Sequence, residues 1–306
     1  MKTYAVNKRW RWGIAGLWVA LALLAGCASQ PSQPKDGKLH VTVSIVPQQY
    51  FVERIGGDYV AVAVMVEPGA SPATYEPKPE QLRSLSGAVA YFSIGVPFEN
   101  AWLDKIAAAN SKMVVVDTSA GIERLPMTAH HHEGEAGDEE EEAEGVLDPH
   151  IWISPELVKV QARNIYNALV ELDPEHAEAY KTNLDAFVAD IDALEAEIRT
   201  TLSGLESKRF MVYHPAWGYF AADFGLEQIA IELGGQEPSA QELAELIEHA
   251  RAENIRVIFV QPEFSTTDAE TIAKEIGGEV LPISPLAPDW LDNLRRVAQT
   301  FADALE

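Results

Sequence analysis

Between residues 173 and 207 the chain carries one long amphipathic period that divides everything else. Leu184, Phe187, Ile191, Leu194, Ile198, Leu202 and Leu205 recur at spacings of three or four with charges between them, the repeat of a helix that buries one stripe. Asp173 stands where an N-cap belongs, Pro174 takes the first helical position, and Glu175 adds negative charge to the first turn. A helix from Pro174 to about Leu205 would be roughly 48 Å long at 1.5 Å per residue. What lies on either side must then be two bodies tied by one strut, with a cleft between them that opens and closes little.

Both flanks alternate short apolar runs with helical stretches. Ahead of the strut the strand-like runs are His40 to Val46, Val60 to Val66, Val89 to Ile94 and Met113 to Val116, with helical patterns at Pro79 to Ser86 and Phe98 to Ala109. After it come Phe210 to Tyr213, Gln228 to Ile231, Val257 to Val260 and Val280 to Ile283, separated by Ser239 to Glu253 and Ser265 to Ile276 and followed by Pro288 to Leu305. This alternation predicts an α/β fold of two lobes, each with a mostly parallel sheet flanked by helices, joined by one long linking helix. The expected boundaries are an N-terminal lobe at 39–172, the linking helix at 173–207 and a C-terminal lobe at 208–306.

Residues 1–27 read as an export signal. Lys2, Lys8, Arg9 and Arg11 form a positive start, no acid occurs before Asp36, and the apolar run from Trp12 to Gly26 follows. At about 15 residues that run is short of the roughly 20 a membrane span needs. It ends Leu24-Ala25-Gly26-Cys27, which resembles the lipobox of bacterial lipoproteins and implies lipidation of Cys27 as the first mature residue. The competing reading is a structural cysteine after an uncleaved anchor. Ala28 to Lys38, rich in Pro, Gly and Ser, is a tether. Cys27 is the only cysteine, which excludes a disulfide framework and any thiolate metal cluster.

Charge excludes one class of partner and suggests another. The 306 residues carry 47 acids against 23 Lys and Arg, a formal net charge of -24, with no basic stripe for nucleic acid. Loss of the leader would remove four of the positive charges. Eight acids and no base fall between Glu133 and Glu144, directly after His130, His131 and His132. Such a block cannot pack, so residues 127–146 are expected to form a disordered loop. It is either a solvated charge run with incidental histidines or an accessory metal trap, since imidazole and carboxylate both bind divalent cations.

Two further histidines stand at element boundaries. His150 lies in Asp148-Pro149-His150-Ile151-Trp152, directly after the acidic loop. His214 lies in His214-Pro215-Ala216-Trp217-Gly218-Tyr219 at the end of an expected strand, where open α/β sheets bind ligands. The proline after it restricts His214 to an extended backbone.

These motifs carry a resemblance over about Leu39 to Leu305. With Ser44-Ile45-Val46-Pro47, Gly69-Ala70-Ser71-Pro72-Ala73-Thr74-Tyr75-Glu76-Pro77 and Pro285-Leu286-Ala287-Pro288-Asp289-Trp290, the chain resembles the metal-binding lipoproteins of ABC zinc and manganese uptake systems, the cluster 9 solute-binding proteins. The resemblance implies an extracytoplasmic, lipid-anchored receptor, monomeric, that captures a divalent metal in the cleft and delivers it to an ABC permease in the cytoplasmic membrane. It implies His150 and His214 as ligands. It also implies a histidine where Ala73 stands and commonly an aspartate where Ser284 stands, so two usual ligands are missing.

Zinc normally takes three protein ligands plus water, or four. Glu263, in Gln261-Pro262-Glu263-Phe264 after an expected strand, is the candidate third ligand, although it reads equally as the acidic start of a helix. Glu76, on the loop where the family's first histidine would sit, is an accessory candidate. Histidine ligands favour Zn2+ over the oxygen-rich sets that suit Mn2+. A zinc hydrolase could use a similar set, but no HExxH, GxSxG or Walker pattern occurs, so no enzyme is expected. An extracytoplasmic metal buffer or metallochaperone working through the His/acidic loop is the alternative.

Overall fold

Parallel neighbours cannot be joined by a tight turn, so each β-branched run here is followed by a helix that recrosses the sheet. The computed structural model describes residues 37–127, 147–232 and 236–305. The first sheet has the order β2-β1-β3-β4, from β1 (Leu39–Val43), β2 (Val60–Val64), β3 (Ala90–Ser93) and β4 (Val114–Asp117), all parallel. Helices α1 (Val46–Gly56), α2 (Pro79–Ser84) and α3 (Pro97–Ala109) connect its strands. The second sheet repeats the plan as β6-β5-β7-β8, from β5 (Arg209–Val212), β6 (Glu227–Ala230), β7 (Val257–Val260) and β8 (Glu279–Pro282). Its helices are α6 (Gly218–Phe224), α7 (Ala240–Ala252) and α8 (Thr267–Ile276), with α9 (Trp290–Leu305) closing the chain. Helices α4 (Pro155–Leu172) and α5 (Ala177–Thr201) stand between the two sets.

The strut is shorter than the expected span from Pro174 to Leu205. Helix α5 has 25 residues, about 37 Å at 1.5 Å per residue, because the expected first turn and the last two leucines of the repeat lie outside the helix. At the start, Pro174–His176 form a single 3-10 turn, with the His176 ring Nδ1 and the Tyr180 hydroxyl both on Asp173 Oδ2 (2.6 and 2.8 Å). At the other end Leu202 terminates α5, and Gly204 turns the chain away with φ 88°. Leu202 is still buried and Leu205 still packs on the core, so the period reported burial correctly and helix length too generously.

The expected strand at His40 to Val46 also divides. It stops at Val43 because Pro47 suits the first turn of α1 and the Gln48 amide reaches back. Gln48 Oε1 accepts from the backbone N–H groups of Ser44 (3.0 Å) and Ile45 (3.3 Å), and its Nε2 donates to Thr118 Oγ1 (3.0 Å).

One continuous apolar core runs from the first sheet through α4 and α5 into the near face of the second sheet. Helix α9 stitches it. At its start, Trp290 packs edge-on against Phe51 (centroids 5.2 Å) and contacts Phe187 (6.4 Å). Three turns later, Phe301 lies 4.6 Å from both Phe210 of β5 and Phe259 of β7. A separate, smaller core fills the far face of the second sheet beneath α7 and α8, built from Met211, Ile229, Ile258, Leu246 and Ile272 among others. Among the described residues no helix is long and apolar enough to cross a membrane. The expected leader at 1–27 with Cys27, the tether up to residue 36, and residues 128–146 with His130, His131 and His132 lie outside the described residues.

Because Phe187 is fully buried between Phe51 and Trp290, Phe187→Ala should cost about 3–5 kcal/mol. The continuous core predicts that both sheets unfold together. Urea transitions followed by far-UV CD and by tryptophan fluorescence should coincide in wild type and variant; two separated transitions would contradict a shared core.

Candidate metal site

The second sheet reverses direction of growth at β5, with β6 on one side and β7 on the other, and the crevice beyond such a switch point is where open sheets bind ligands. The chain leaving β5 carries His214 to that position. Extending the ladder two residues past Val212↔Ala230 sets His214 beside Glu232, and extending Val212↔Phe259 sets it beside Gln261. Both neighbours grip it. Gln261 Oε1 accepts from the His214 backbone N–H (3.1 Å), while Gln261 Nε2 donates to the His214 carbonyl (2.6 Å). The imidazole Nδ1 meets Glu232 Oε2 at 2.7 Å, and Phe264 stacks on the ring at 4.6 Å with an interplanar angle of 19°.

His150 is held by its own motif. Asp148 Oδ1 accepts from the His150 backbone N–H (2.9 Å) and meets the ring Nδ1 at 2.7 Å, so one carboxylate oxygen fixes both chain and ring. Behind it, Trp152 Nε1 donates to the Pro285 carbonyl (2.8 Å) and Trp290 Nε1 to the Trp152 carbonyl (2.7 Å). This is what the Pro285 to Trp290 segment contributes: it docks the His150 turn on the start of α9.

The two rings meet. His150 Nε2 and His214 Nε2 are 3.3 Å apart, with the rings inclined at 75°. Each Nδ1 faces a buried carboxylate, Asp148 or Glu232, and a carboxylate accepts, so each Nδ1 carries the proton and each Nε2 presents its lone pair. Two lone pairs so placed call for a cation between them. A tetrahedral zinc ion with Zn–N bonds of about 2.0–2.1 Å separates its nitrogens by about 3.3–3.4 Å. The two carboxylates balance a doubly charged ion while orienting the rings, the usual arrangement behind metal-bound histidine. Burial pushes the His214 imidazole below its ordinary value, more than its Glu232 hydrogen bond raises it, which keeps the ring neutral to lower pH.

Among the described residues no third His, Cys, Asp or Glu joins these two in a group able to hold a metal ion. Glu263 lies on the turn after β7, half-buried, next to the stacked Phe264. Burial raises its carboxyl above the usual range, and its Oε2 has no hydrogen-bond partner. Glu76 and Ala73 are exposed on the loop between β2 and α2. The Ser284 hydroxyl accepts from the Leu286 N–H (3.2 Å), shaping its own turn.

This site sits in a recognisable lineage. The description "Zinc-uptake complex component A periplasmic", the ZnuA family, matches residues 41–304. The chain belongs to the ZnuA family. It is 30% identical over 290 residues to the high-affinity zinc uptake system protein ZnuA of Bacillus subtilis (strain 168), covering 91% of this chain and 89% of that protein. It is 29% identical over 268 residues to the zinc-binding lipoprotein AdcA of Streptococcus pneumoniae serotype 4, covering 86% of this chain but 52% of AdcA, so it spans about half of that relative. A crystal structure of ZnuA superposes with a TM-score of 0.82 at 47% identity, covering 88% of this chain and all of that one. The two-lobed α/β architecture with a long helix between parallel sheets is thus the fold of a zinc-uptake family.

Sequence reasoning singled out both histidines but passed over Asp148, Glu232, Gln261 and Phe264 as parts of the site. Asp148 was within reach, two residues before His150 and separated from it by a proline. Glu232 and Gln261 become neighbours of His214 only through the strand order.

Asp148→Asn and Glu232→Gln should each weaken zinc binding by about 10–100-fold, read by competition with a chromophoric chelator. Wild-type zinc affinity should fall on acidification as protons compete for Nε2, and at His214 this begins below the ordinary imidazole value. The apo protein should behave in parallel. The folded-state value of His214 is depressed, so its stabilising contribution is present above the unfolded value near 6.5 and is lost as pH falls through the folded one. Measured against His214→Asn, the wild-type melting temperature should fall relative to the variant's on acidification from pH 7 to 5, and a relative rise would contradict this.

Proposed function

We propose that this chain is the extracytoplasmic receptor that captures zinc and hands it to the permease of an ABC importer. The observation that carries the reading is the pair of imidazole nitrogens 3.3 Å apart, each backed by a buried carboxylate, in a member of a zinc-uptake family. The residues suit the cargo: nitrogen donors for a borderline cation, charge balance from Asp148 and Glu232, and an aromatic wall of Phe264 and Trp152 that limits water. One chain supplies both histidines, so the site needs no second copy, and we take the receptor to act as a monomer.

We assign His150 and His214 as ligands and propose Glu263, which lies on the adjoining turn but does not close a three-ligand group with them in this structure, as the third, with water in the fourth position. Glu263 is supported by its buried, unpartnered Oε2 and its place beside Phe264, which stacks on His214. His130, His131, His132 and Glu76 are accessory donors that raise local metal concentration. Cys27 anchors the protein through lipid, a reading supported by Leu24-Ala25-Gly26-Cys27 and by the lipoprotein name of the pneumococcal relative. A buffer working through the acidic loop alone would have no use for two oriented, buried rings.

Zinc titration of purified variants tests the assignment. His150→Ala and His214→Ala should each lose more than the roughly 100-fold upper range of an outer-shell defect. Deleting residues 130–144 should leave one tight site. Wild-type affinity in Glu263→Ala would remove Glu263 from the ligand set, and tight binding in the double histidine variant would overturn the receptor site altogether.

A further inference from the structure

The base of the acidic loop is a two-rung antiparallel stem with one rung opened. Pro126 and Leu147 pair across it, and the next pair inward is Leu125 with Asp148. Asp148 N–H donates directly to the Leu125 carbonyl at 2.8 Å. In an ordinary hydrogen-bonded pair the Leu125 N–H would return the bond to the Asp148 carbonyl. Here a hydroxyl stands between them: Tyr219 Oη accepts from Leu125 N–H at 3.0 Å and donates to the Asp148 carbonyl at 2.9 Å. Tyr219 comes from α6 of the other lobe, and its ring is buried in the shared core. On the stem's far side, Arg124 donates to the carbonyls of Ile94 (2.5 Å) and Gly95 (3.1 Å) beyond β3. The stem is thus held from both lobes.

The residue before Tyr219 meets the same carboxylate. A Cβ on Gly218 would lie 3.0 Å from Asp148 Oδ2, so a side chain there would displace that oxygen by a few tenths of an ångström while Oδ1 holds the His150 ring. Gly218 and Tyr219 follow His214 by four and five residues, so the segment that delivers one imidazole also fixes the carboxylate that aims the other.

We propose that the Gly218–Tyr219 step is a positioning element for the metal site: the inserted Tyr219 hydroxyl and the bare Gly218 backbone lock Asp148 against His150 across the lobe boundary, setting zinc affinity without touching the ion. This rests on the His150–His214 reading of the site. Its two parts act differently on stability. Tyr219→Phe strands a part-buried N–H and a buried carbonyl, which weakens the fold as well as the aim of His150. Gly218→Ala removes no hydrogen bond and replaces glycine at the start of a helix, so a loss of affinity at an unchanged apo melting temperature is not a by-product of instability.

The test uses the whole mature chain, with Zn2+ in chelator competition, Co2+ absorption as a signature of ligand geometry, and apo melting temperature measured in parallel. Both variants should bind zinc about 10–100-fold more weakly than wild type and show an altered Co2+ spectrum. Gly218→Ala should do so with an apo melting temperature within a few degrees of the wild-type value. Wild-type affinity in either folded variant overturns the proposal, and if Tyr219→Phe fails to fold, Gly218→Ala decides alone. A wild-type chain that binds no zinc would sink the receptor reading itself, an outcome distinct from equal affinities in wild type and variants.

Discussion

His150 and His214 face each other Nε2 to Nε2 across 3.3 Å with a carboxylate behind each ring, and the architecture around them holds that opposition. One ring is steered by Asp148 from within its own turn, the other by Glu232 from the neighbouring strand. Neither carboxylate is exposed, so each depends on the imidazole it meets rather than on solvent. On the proposed reading, such a donor set suits a small doubly charged ion with a taste for nitrogen. A monovalent ion would leave charge uncompensated, and a hard oxygen-seeking ion would find too few donors.

Such an arrangement needs its two halves fixed to within fractions of an ångström, and the core explains how. The aromatic series Phe51, Phe187, Trp290 continues through α9 to Phe301, Phe210 and Phe259, so the lobes share side chains rather than merely abutting. The indole of Trp290 then bonds the carbonyl of Trp152, two residues from His150. Packing and site geometry are therefore one object: a cavity at Phe187 would be felt in the aim of an imidazole.

Much of the fold was legible because its signals are local. Strand after strand is β-branched and short, helices are periodic, and Pro and Gly punctuate them, so the two parallel sheets follow from the pattern. Helix α1 escaped the reading because Val46 continues the β-branched run; what ends β1 is the reach of the Gln48 side chain, which has no periodicity. The strut's length was overstated because apolar spacing records burial, and Leu202 and Leu205 remain against the core after the helix has ended. At the site, the histidines announced themselves through Asp-Pro-His and His-Pro. Their partners did not: Glu232 and Gln261 are 18 and 47 residues from His214, and only the order β6-β5-β7 makes them adjacent. Tyr219 was hidden for the same reason, its partners lying 71 and 94 residues away in the other lobe.

The second sheet is a party wall. Phe210 and Val212 of β5 face the large shared core, while Met211 and Tyr213 face the smaller one under α7 and α8. Cooperative units of unequal size open at unequal free energies, and the smaller layer has far less to lose by loosening. Phe264, which stacks on His214, packs with that smaller layer, whereas Trp152 beside His150 belongs to the large core. The two imidazoles therefore stand against different layers, His150 beside the large core and His214 against the smaller one.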